Sequence, residues 1–76
     1  MAFRITSLWA WTSIGEDDEE GIIGYQSDGM WMPLIASDRV RVDEFRRIAQ
    51  IAAETTGRPV VLRRFSTSEE LERIEP

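Results

Sequence analysis

GIIGYQSDGMWMPLIA, residues 21–36, decides the fold. Two apolar runs flank Asp28-Gly29, a pair in which both residues accept positive φ. The stretch therefore predicts a β-hairpin closed by a type I′ turn. Pro33 has no N–H to give to a ladder, so the second arm is expected at a sheet edge or to carry a break. The hairpin arms are read as strands over 21–26 and 30–36.

Upstream, FRITSLWAWTS (3–13) has the β-branched and aromatic content of a further strand. Its alternation places Phe3, Ile5, Ser7, Trp9 and Trp11 on one face, and Arg4, Thr6, Leu8, Ala10 and Thr12 on the other. The first face carries more apolar bulk and is the expected core side.

Between this strand and the hairpin lies GEDDEEG (15–21), with five consecutive acids. A Ca²⁺ loop spaces its acids on alternate positions around an internal glycine. Here the acids are contiguous and the glycines stand only at the ends. The run reads as a solvated connection whose charge deters edge association, and no metal or other cofactor is expected.

Downstream the period changes. Val42, Phe45, Ile48, Ala49 and Ala52 form a helical stripe beginning near Asp38. Asp43 and Glu44 are read as early acids favoured by the helix dipole, and Gly57 and Pro59 as the stop. PVVLRRF (59–65) reads as a last strand, parallel to the first and third strands and paired beside the first. Thr67-Ser68-Glu69-Glu70 fits a capping box and predicts a short C-terminal helix with Leu71 and Ile74 as its apolar contacts. The expected fold is a single α+β domain over residues 1–76. Its order is β-β-β-α-β-α, with a four-stranded, mostly antiparallel (mixed) sheet and one main helix on one face.

The chain has neither histidine nor cysteine and a net charge of −5. It therefore lacks an imidazole base, a thiol nucleophile and a disulfide. No nucleotide-binding or nucleophile-elbow motif is present, so neither an enzymatic role nor a small-molecule substrate is expected. No apolar run approaches a membrane span, and the N-terminus lacks the pattern of a signal peptide. The expected location is the cytoplasm. All nine basic residues are arginine, and asparagine is absent too; because lysine and asparagine use A-rich codons, a GC-rich bacterial source is expected.

Charge is segregated along the chain. Residues 1–38 carry one arginine against seven acids, residues 39–64 seven arginines against three acids, and residues 65–76 one arginine against four acids. Arg39, Arg41, Arg46, Arg47 and Arg64 are candidates for an anionic-partner patch. A nucleic-acid-associated regulator using this segment is the alternative reading, disfavoured by net charge. Trp11, Met30, Trp31 and Met32 are candidates for a protein interface, since one helix covers only one sheet face and tryptophan and methionine are enriched in interface cores. The leading expectation is a non-enzymatic interaction module, working as a homodimer or as an adaptor or inhibitor of a larger partner.

Overall fold

The structure is a computed structural model that describes residues 5–76. Six strands and one helix follow in the order β1 (Leu8–Ile14), β2 (Glu20–Ile22), β3 (Gly24–Ser27), β4 (Met30–Pro33), β5 (Ile35–Ala36), α1 (Arg39–Thr56) and β6 (Val60–Phe65). The α+β class, the antiparallel sheet and the single main helix agree with the sequence reading. Phe3 and Arg4 lie outside the described residues.

The central strand is β1, and every strand that pairs with it runs antiparallel. On one side it takes β6 along its length, from Leu8↔Phe65 to Ser13↔Val60. On the other side it takes β2 at Thr12–Ile14 and β5 at Trp9–Ala10. Read down β1, its partners are Glu20, Gly21, Ile22 and then Ile35, Ala36. Thus β2 and β5 act as one edge strand with residues 23–34 inserted opposite a single position, Trp11.

Three backbone hydrogen bonds close that insertion. Trp11 N–H donates to the Leu34 carbonyl at 3.0 Å, Ile23 N–H donates to the Trp11 carbonyl at 3.0 Å, and Leu34 N–H donates to the Ile23 carbonyl at 2.8 Å. Each of the three residues gives one donor and one acceptor, so the gap in the edge strand leaves no orphan at the buried Trp11. Beyond the junction β3 and β4 pair only with each other, forming a projecting arm. Its tip has Asp28 at φ 52 and Gly29 at φ 79, as a type I′ turn requires. The break expected at Pro33 falls at the next residue, Leu34.

This geometry corrects the expected strand direction. The last strand is parallel to β5, as a helical crossover demands, but antiparallel to β1. In a simple meander the first and third strands would be parallel. The outward turn at Ile23 and the return at Leu34 instead bring β5 back in the same direction as β2.

The helix begins at an Asp38 cap whose carboxylate accepts from Arg41 N–H at 2.8 Å, and ends at Gly57 in the left-handed region, whose N–H donates to the Ala53 carbonyl. Asp43 and Glu44 lie beyond the first turn, so Asp38 supplies the negative charge at that end. Val42, Phe45 and Ala49 are buried, with Ile48 and Ala52 half-buried, against Trp11, Leu34 and Ala36. The helix covers the Trp9–Trp11 face, the side expected from alternation.

The predicted C-terminal helix does not form: residues 66–76 carry no regular element, and Leu71 and Ile74 remain 85% and 86% exposed. An isolated segment this short is marginal as a helix, and its two apolar side chains find no surface to bury against.

Leu34 is fully buried at the junction. Leu34→Ala is expected to destabilise the fold by about 2–5 kcal/mol, measured by urea denaturation. Asp38→Ala, which removes only the helix cap, should lose about 1 kcal/mol.

Candidate functional site

In an antiparallel ladder directly paired residues share a face. Trp9, Trp11 and Ser13 face the helix with Arg64, Leu62 and Val60. Among the described residues no helix or strand packs over the opposite face. It carries Leu8, Ala10, Thr12 and Ile14 from β1, Val61, Arg63 and Phe65 from β6, Ile22 and Glu20 from β2, and Ile35 from β5.

The centre of this open face is a charged bridge over the central strand. Arg63 Nε and Nη2 donate to Glu20 Oε2 and Oε1, both at 2.7 Å. The Thr12 hydroxyl lies 2.7 Å from Glu20 Oε2 and 3.2 Å from the Val61 carbonyl. Its single proton belongs to the shorter, charge-assisted contact with the carboxylate. Arg63 stands opposite Ala10 and Glu20 opposite Ile14, so the pair reaches across β1 where the side chains are small. That is why Ala10 and Thr12 are only 2% and 4% exposed on a face over which no helix or strand of the described residues packs.

The Arg63 guanidinium, and then the Thr12 hydroxyl, hold the Glu20 carboxyl well below its ordinary value of 4.5, pushed down to about 2. Glu20 in turn raises Arg63.

Apolar side chains frame the bridge. Ile22, Ile35, Leu8 and Phe65 are exposed around it. In the arm, Pro33 and Trp31 share a face with Gly24 and Gln26, opposite to the one on which Tyr25 and Met32 lie. Trp31 is 70% exposed, and its ring lies over Gly24, with Cε3 3.4 Å from where a Cβ at that glycine would stand. Met30 and Met32 point to the other side of the arm with Ser27 and Tyr25. Tyr25 packs onto the helix, its ring centroid 5.5 Å from that of Phe45.

Of the four residues singled out as an interface, Met30, Trp31 and Met32 are exposed on the arm. Trp11 is a core residue instead: it is 8% exposed, lies against α1 and donates its indole N–H to the Val42 carbonyl at 3.2 Å. Its alternation partner Trp9 is half-buried on the same side.

The predicted arginine patch divides. Arg41 and Arg46 pair with Glu44 and Asp43, at 3.3 and 2.9 Å, on the exposed helix surface. These replace the Glu44–Arg47 pair that i, i+3 spacing also allows, and such exposed pairs contribute little. Arg39, Arg47 and Arg64 have no carboxylate within 4.0 Å among the described residues.

The acidic run forms the β1–β2 connection. It is closed by Gly15 N–H donating to the Glu19 carbonyl at 2.7 Å. Glu16 pairs with Arg58 at 3.0 Å, while Glu20 belongs to β2 and the open face. Among the described residues no group of three acidic side chains is arranged to hold a metal ion.

The bridge was not legible in the sequence, because Glu20 counted there as the end of an acidic tract. The signal was the placing of Arg63 opposite Ala10 and of Glu20 opposite Ile14, with the small Thr12 between them on β1, visible only in the antiparallel register. Compared with known proteins, the chain matches no family model, no curated protein and no solved structure.

Because Glu20 titrates near 2 when folded and near 4.5 when unfolded, its contribution to stability is complete above pH 4.5. It is lost as the pH falls through about 2. The difference in melting temperature between wild type and Glu20→Gln is expected to be largest near neutral pH and to shrink from pH 4.5 towards pH 2, as followed by circular dichroism.

Proposed function

We propose that this protein is a non-enzymatic interaction module that works by self-association, with a second copy of the chain covering the open sheet face. The observation carrying this reading is the exposed apolar frame of Leu8, Ile22, Ile35 and Phe65 around a charge pair that is already neutralised.

The chain exposes more surface than a compact monomer of its mass. The chain exposes 6622 Å², whereas a folded monomer of its mass exposes roughly 4,800 Å². The exposed tail accounts for part of that excess.

Charge supports a second copy rather than a strongly charged partner. The open face presents Glu20 and Arg63 paired to each other in a bidentate fork, leaving neither sign in excess at its centre. Such a pair enters an interface without an uncompensated charge, and a symmetric contact places like surface on like surface.

No comparable observation favours a catalytic reading. Among the cavities of the described residues, the one between α1 and β6 has a volume of only about 180 Å³ and is lined by Trp11, Arg46, Ala49, Gln50, Ala53 and Val60. This set contains no nucleophile–base pair. The nucleic-acid reading is weaker than the sequence made it, since Arg41, Arg46, Arg58 and Arg63 are engaged with the chain's own acids.

Multi-angle light scattering across the micromolar range is expected to give twice the 8.8 kDa chain mass. Phe65→Glu and Ile22→Glu, at 54% and 50% exposed positions, should each shift the species to monomer while the melting temperature stays near that of wild type. Leu71→Glu in the tail should change neither. A wild-type chain that remains at 8.8 kDa at high micromolar concentration removes the proposal.

A further inference from the structure

The arginines without partners are not scattered. Of the eight described arginines, five have a carboxylate within 4.0 Å, and Arg39, Arg47 and Arg64 do not. Two of these three flank Trp9. The Arg39 guanidinium carbon lies 6.0 Å from the centroid of Trp9. Arg64 is the direct cross-strand partner of Trp9 and shares its face. Three elements that are distant in sequence therefore converge: β1 supplies the indole, the first residue of α1 one guanidinium, and β6 the other.

The rest of the fold sharpens the contrast. Trp11 has a similar neighbour, with Arg46 5.1 Å from its ring centroid, but Arg46 is held by Asp43. Arg41 lies 5.8 Å from the Phe45 ring and is held by Glu44. At Trp9 the same stacking occurs without the neutralising acid. The acidic connection 15–19 stands at the opposite end of β1, next to Pro59. The sheet is thus polarised, with negative charge at one end and two uncompensated arginines at the other. The tail leaves β6 beside this basic end, yet none of its four glutamates lies within 4.0 Å of Arg39 or Arg64.

We infer that Trp9, Arg39 and Arg64 form a second docking site, for a carboxylate-rich peptide segment of a partner protein. Two guanidinium forks can each take a carboxylate oxygen pair, and the indole face holds one of the forks in place. A nucleobase has no platform here, because Arg39 already occupies the approach to the Trp9 ring. A peptide and a polyphosphate of equal charge meet the same net charge of −5, so the two are compared directly. The site lies on the helix side of the sheet, away from the open face, so it is independent of self-association.

The experiment is calorimetric titration of the full chain with a capped hexaglutamate peptide at low ionic strength, beside a single-stranded oligonucleotide of equal charge. One saturable peptide site per chain is expected, weakening as salt rises. The Arg39→Ala/Arg64→Ala double variant should bind at least about tenfold more weakly with an unchanged melting temperature. Arg47→Ala, which removes the third unpaired arginine on the solvent side of α1, should bind as wild type does. Absence of saturable heat overturns the inference, and so does an equal loss in Arg47→Ala, which would reduce the effect to net charge. Tighter binding of the oligonucleotide than of the peptide overturns it in favour of phosphate. Light scattering on the double variant separates the two proposals, since it should still give the wild-type mass.

Discussion

The hydrogen-bonded ring of Trp11, Ile23 and Leu34 is the constraint on which the rest of the molecule depends. A strand with a gap opposite one of its buried residues would normally leave a peptide group without a partner, at a cost of about 1–3 kcal/mol per group. Here the two residues that flank the gap each satisfy one group of Trp11 and then satisfy each other. The chain can leave the sheet at Ile23, build the arm and re-enter at Leu34 with the backbone closed. Leu34 and Trp11 then fill the space beneath α1, so the ring also fixes where the core sits.

From that junction follow both faces of the sheet. Because β5 re-enters in the direction of β2, the crossover through α1 delivers β6 to the far side of β1, antiparallel to it. That register brings Arg63 opposite Ala10, within reach of Glu20 across two small side chains. The same register puts Arg64 beside Trp9 on the helix side. Neighbouring arginines on one strand thus take different roles, one neutralised on the open face and one unpaired next to an indole.

The acidic and basic segments of the chain also find each other. Glu16 with Arg58 and Glu20 with Arg63 join the ends of the acidic run to the basic middle. Asp17, Asp18 and Glu19 stay exposed at the tip of the loop. Much of the arginine excess that the linear sequence presents as a patch is thereby consumed within the fold. What remains is confined to Arg39, Arg47 and Arg64, and only two of those share a neighbour.

Local chemistry was legible in the sequence wherever the signal and its cause lie within a few residues. Asp28-Gly29 specified its turn, Asp38 and Gly57 the ends of α1, the 42–49 stripe its buried side, and Pro33 a break in its strand. Alternation put Trp9 and Trp11 on the expected core side, but Trp11 still stood as an interface candidate until the structure laid α1 over that side and buried it. The C-terminal helix failed for the converse reason: its cap and spacing are local signals, but a segment of that length needs a surface to pack against, and none is near. Strand direction, the Glu20–Arg63 bridge and the meeting of Arg39, Arg64 and Trp9 were decided by tertiary structure alone. Each depends on which strand lies beside which and in what register. Those pairings run from Ile14 with Glu20 to Leu8 with Phe65, 6 to 57 positions apart, at a loop-closure cost that no local pattern encodes. The amino-acid order determined the pieces and their boundaries, and the closure of a twelve-residue excursion at one position of β1 determined which pieces share a face.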